Sequence, residues 1–169
     1  MAFNGYVNTM RCAATDVDAF TATGINATTA IQNGYFVALG DYQNTSGAIT
    51  EFVYNVTLAA ASTVGNWLVR TPEVGTTVAI QIQDDPRYFI NEAGQPMQLI
   101  KPIVGDIIEV TAETISEAAV KGDFYTLVDG MLTKGTQTAD ATCFECLGTY
   151  YITFGMNDVT TYVFRCVAN

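Results

Sequence analysis

The chain has 169 residues, of which 49% are hydrophobic and only 14% charged, against about 25% charged in ordinary soluble domains. Seven basic residues against seventeen acidic ones leave a formal charge of −10, a field that repels phosphate backbones and argues against a nucleic-acid partner. No stretch reaches the roughly 20 consecutive apolar residues of a spanning helix, and Met1-Ala2-Phe3-Asn4-Gly5 lacks the basic and apolar regions of a secretory signal. We therefore expect synthesis in a cytoplasm, no membrane partner, and an apolar surface covered by other proteins.

Residues 1–30 are weakly patterned, rich in Ala and Thr, and read as an extended arm or a loose pair of strands. Asn33-Gly34 is a turn signal, and residues 35–39 after it read as a buried strand ending at Gly40-Asp41. Residues 42–47 read as a polar loop. Residues 49–58 then alternate, with Ile49, Phe52, Tyr54, Val56 and Leu58 close to one face. Residues 66–70 form the next strand, stopped by Thr71-Pro72-Glu73, and residues 78–82 another, stopped by Asp84-Asp85-Pro86.

A turn-forming loop at 91–96 precedes a strand at 97–100, a tight turn at 102–106 and a strand at 107–111. Residues 113–120 are the best helical segment. Strands return at 124–128, 131–132, 143–147, 150–154 and 160–167, with turns at Asp129-Gly130, Lys134-Gly135, Gly155 and Asn157-Asp158.

Strands at a spacing of about ten residues, rich in β-branched and aromatic types, predict a mainly β fold. We expect a small β-barrel or β-sandwich of short antiparallel strands with at most one short helix. The organisation expected is an N-terminal arm or loose strands at 1–30, the barrel or sandwich core at 31–135, and a C-terminal hairpin at 136–169 packed on the same domain.

The sequence contains no histidine, which removes Ser-His and Cys-His nucleophile activation and histidine-bound zinc together. Phosphate-binding glycine loops are absent as well. Asp84-Asp85 is the tightest carboxylate pair, but Asp-Asp-Pro reads as a solvated strand end before it reads as an acid/base dyad. Asp16 and Asp18 lack the glycine and terminal glutamate of a calcium loop. Cys143 and Cys146 have knuckle spacing without a second pair, so Cys12, Cys143, Cys146 and Cys166 read first as reduced, buried residues, with a four-cysteine zinc site as the alternative. No enzyme activity, cofactor or metal is expected.

Trp67, Arg70, Arg87 and Tyr88 are of the types enriched at interface hot spots, and Asn91 and Glu92 open the unusual 91–96 loop; these six are the interface candidates. An equally good reading has Trp67 filling the core with Arg70 covering it.

The stretch Phe89-Ile90-Asn91-Glu92-Ala93-Gly94-Gln95-Pro96, followed by Leu99, Val104-Gly105-Asp106 and the residues Ile108, Val110, Thr111 and Ala112, resembles small virion structural proteins of tailed phages, the head decoration (cement) proteins. Asn33-Gly34-Tyr35-Phe36-Val37, Leu39-Gly40 and the run from Leu68 to Val74 fit the same resemblance. It implies a β-domain on the capsid exterior that ties shell subunits together, with the major capsid protein and neighbouring copies of itself as partners, in a homo-oligomer or symmetric array. Residues 1–30 and the tail after Asp140 lie outside the resemblance. Alternatives are another virion part (head fibre base, connector or tail protein) and a carbohydrate-binding or carboxylate-dependent module.

Overall fold

The computed structural model describes residues 3–60, 63–73 and 85–169. Eleven strands run through them: β1 (Val7–Arg11), β2 (Thr21–Ile25), β3 (Phe36–Thr45), β4 (Ala48–Leu58), β5 (Trp67–Val69), β6 (Pro96–Ile100), β7 (Ile107–Thr111), β8 (Phe124–Val128), β9 (Met131–Gly135), β10 (Cys143–Phe154) and β11 (Asn157–Ala168). The fold is mainly β, as expected. Six strands form an antiparallel sheet in the order β1-β7-β11-β10-β8-β9, and the other five close into a barrel in the order β2-β4-β3-β5-β6.

Period-two alternation joins these two layers. Phe36, Leu68 and Ile100 face the sheet, where they share one core with Ile108, Val110, Tyr125, Leu127, Phe144 and Phe164. Their chain neighbours Val37, Val69 and Leu99 point the other way, into the barrel, and pack with Ile31, Val56 and Met97. Where they pass between the two cores, β3, β5 and β6 are therefore apolar on both faces, which explains the continuous hydrophobic runs at 36–37, 68–69 and 99–100. Phe36 and Phe144 meet across the layers with ring centroids 5.2 Å apart. Tyr125 is fully buried against Phe164, and its hydroxyl accepts the backbone N–H of Val120 at 3.0 Å.

Two glycines are fixed by space. A Cβ on Gly24 would sit 2.7 Å from both Leu99 Cδ1 and Val56 Cγ1, so its absence lets β2 approach β4 and close the barrel through their parallel pairing. Asp129 and Gly130 both have positive φ and form the β8–β9 turn; Gly130 docks on Phe36, accepting its backbone N–H at 2.8 Å. Side-chain amides tie the loops to this frame. Asn33 bonds Thr71, Glu73 and Asn91, while Asn169 holds Asn66, Pro102 and Thr142.

Residues 1–30, read as an arm or loose strands, supply β1 to the edge of the sheet and β2 to the barrel. The helix expected at 113–120 is not formed: a short 3-10 turn, Ala112–Thr114, gives way to a bridge between Ile115 and Leu132. The polar loop expected at 42–47 is strand as far as Thr45, and the strands expected at 143–147 and 150–154 are one strand, β10, with a bulge between Cys146 and Gly148. The strand expected at 78–82 and Asp84 lie outside the described residues.

Candidate interaction surfaces

Two parts of the surface gather aromatic and apolar side chains. The first lies where the β3–β4 ribbon leaves the barrel. Tyr42 and Tyr54 stand opposite each other in the ribbon, stacked 4.2 Å apart, and the Tyr54 hydroxyl donates to that of Tyr42 at 2.7 Å. That hydrogen bond holds the Tyr54 phenol above its ordinary pKa. Phe52 meets the Tyr42 ring edge-on at 5.8 Å and is 81% exposed. With half-buried Trp67 and exposed Thr23 and Gln98, these rings line an open groove of about 460 Å³.

The second is the outer half of the β10–β11 hairpin. β8 pairs with β10 only at Phe144 and Glu145, so from Thr149 to Phe154 β10 is hydrogen-bonded to β11 on one side and has its other edge free among the described residues. Tyr150, Tyr151 and Met156 are 60%, 67% and 99% exposed there. A shallow recess beside them, lined by Met10, Glu109, Tyr150 and Val163, continues across the outer face of the sheet.

Of the six interface candidates, Trp67 lines the aromatic groove. Arg70 is half-buried and its charge lowers the pKa of Glu73, although burial leaves that carboxyl raised on balance. Arg87 and Asn91 are buried and engaged inside the chain. The guanidinium of Arg87 donates to Asp85 through Nε at 3.0 Å and Nη2 at 2.7 Å and lies 3.9 Å over the Phe3 ring. Asn91 donates to Ile31 O and Asn33 Oδ1. Tyr88 is half-buried against Phe3, and Glu92 is exposed. Sequence reasoning missed Tyr42, Tyr54, Tyr150, Tyr151 and Met156. Their signal was aromatic residues on strands leading to a glycine-containing hairpin turn, at Gly47 and Gly155, with Met156 in the second turn itself.

The four cysteines are buried and free. Burial, reinforced by the Asp106 carboxylate, pushes the thiols of Cys12 and Cys166 up to about 12. Since the thiolate is the reactive species, iodoacetamide at about pH 8 should label none of the four in the folded protein and all four in denaturant. Rapid labelling of the native chain, read by mass, would contradict this burial. Among the described residues no group of three or more Cys, Asp or Glu side chains gathers in a metal-binding cluster. No protein-family model, curated protein or solved structure matches the chain.

Proposed function

We propose that the chain is a non-enzymatic structural component of a virus particle, a capsid decoration protein that binds the outer shell of a tailed phage and contacts its neighbours through the β10–β11 hairpin. The observation that carries the reading is the β10 edge at 149–154, unpaired among the described residues, with Tyr150, Tyr151 and Met156 presented beside it. An unpaired strand edge recruits another strand, and exposed tyrosines supply contact area at low entropic cost. Such an edge is a hazard for a free monomer and an asset for a subunit that is covered on assembly. The formal charge of −10 suits a chain that must stay dispersed until it docks. The resemblance over residues 33–112 supports a tailed-phage head as the particle.

Purified chain added to heads assembled without it should co-sediment to saturation. The double variant Tyr150→Asp/Tyr151→Asp, with an unchanged circular dichroism spectrum, should stay in the supernatant. Absence of the wild-type chain from the pellet at both low and physiological salt contradicts the proposal.

A further inference from the structure

We propose that the groove lined by Phe52, Tyr42, Tyr54 and Trp67 is a binding site for a neutral saccharide. The proposal does not rest on the assembly reading, since it concerns the barrel and not the β10–β11 hairpin, and is tested on the isolated chain.

Composition decides the ligand class. Aromatic side chains alone would also suit a nucleic-acid strand, whose bases stack on such rings. Among the described residues no charged side chain lines the groove, however, so none of them offers a cation to hold a phosphate backbone, and the chain as a whole stands at −10. A wholly apolar ligand fits poorly too, because Thr23 and Gln98 are exposed beside the rings and offer polar groups that it would strip of water without replacing.

A pyranose has the matching character: one face of C–H groups to lie on an aromatic ring and a rim of hydroxyls that both donate and accept. Threonine hydroxyls, the Gln98 carboxamide and the Tyr42 phenol also both donate and accept, so the groove offers sugar hydroxyls partners able to take either role. A proline-rich peptide offers only carbonyl acceptors along its proline face and leaves the acceptors of the groove unmet. The volume, about 460 Å³, lies within the range of small-ligand sites. The Tyr54–Tyr42 stack and the Phe52 contact with it arrange the rings before any ligand arrives, which lowers the ordering entropy of binding.

Trp67 is the chain's single tryptophan, so tryptophan fluorescence comes from one side chain that lines this groove and packs on the barrel core. The probes are neutral hexasaccharides of glucose, galactose and N-acetylglucosamine, titrated to about 10 mM against the full chain. The expected result is a saturable emission change with at least one of them, weakened about tenfold by Phe52→Ala and by Tyr42→Ala. Phe52 is 81% exposed, so its truncation should lower the thermal midpoint by no more than the loss of one ring contact, which separates loss of binding from loss of fold. Three outcomes overturn the proposal: no saturable response to any of the three sugars, an equal response in the wild type and both variants, or a response to decaproline but to no saccharide.

Discussion

Phe144→Ala is expected to destabilise the protein by about 3–5 kcal/mol, read as a lower urea midpoint at an unchanged m-value. Phe144 has no exposed surface and sits on β10, while its ring partner Phe36 sits on β3 of the barrel. Removing the ring opens a cavity between two layers that strands on both sides hold apart, so little collapse can fill it. Domains of this kind are stable by only about 5–15 kcal/mol, so a loss at the upper end removes between about a third and all of it. Phe36→Ala should cost a similar amount, and the double variant should fall short of the sum by about 0.5–1.5 kcal/mol, the share owed to the ring pair itself. A loss below about 1 kcal/mol for Phe144→Ala would mean that sheet and barrel do not share one core.

The second large effect is at the Asp85–Arg87 pair. Asp85 is 1% and Arg87 7% exposed, and the two are joined by a two-pronged hydrogen bond. Asp85→Ala leaves a guanidinium buried without its partner, at a cost of about 3–5 kcal/mol; the Glu113 carboxylate also acts on Arg87 and places the result toward the lower end. Asp85→Ala/Arg87→Met, which removes both charges and keeps the volume of the longer side chain, should recover most of the loss. The pH dependence follows from the sign of the shift. Burial opposes the Asp85 charge, but the Arg87 side-chain hydrogen bond, its backbone N–H and its charge outweigh burial and hold the carboxyl below its ordinary value. The pair's contribution is therefore complete above the unfolded value of about 3.9 and is lost as pH falls through the lowered native value. Arg87 is raised, so it stays charged throughout this range. Urea titrations of wild type and Asp85→Ala should differ by a constant amount from neutral pH to about pH 5 and converge only in strong acid. A difference that vanishes at neutral pH would contradict the buried pair.

Sequence patterns identified strands well where turns and alternation agreed. Residues 107–111 and 124–128 coincide with β7 and β8 because Ile108 and Val110, or Tyr125 and Leu127, alternate inward between tight turns. Glycine misled where it marked a bulge instead of an end. The register shift in β3 between Leu39 and Tyr42 brackets Gly40, and Gly148 sits at positive φ within β10, so each looked like a terminus in a strand that continues. At 113–120 helical propensity lost to tertiary burial of Thr114 and Ile115, which pulls the chain toward Leu132.

The surfaces were harder to read than the strands. Trp67 alone could be core or contact; only the cross-strand pairing of Tyr42 with Tyr54 shows that it lines a groove. Arg87 looked like a scarce surface cation, but the Asp85-Pro86-Arg87 turn folds its guanidinium back on Asp85, whose carboxylate also accepts the Arg87 backbone N–H. Periodicity does not report a side chain folded back within a turn, and it reports still less of the long-range packing of Phe3 over the guanidinium.

The assembly account is tested most directly by a density map of the intact particle. It predicts the chain on the outside of the shell, with Tyr150, Tyr151 and Met156 covered by a capsid subunit or a neighbouring copy and β10 extended by a strand at its free edge. A map in which residues 149–158 face solvent on every copy, or from which the chain is absent, would contradict it.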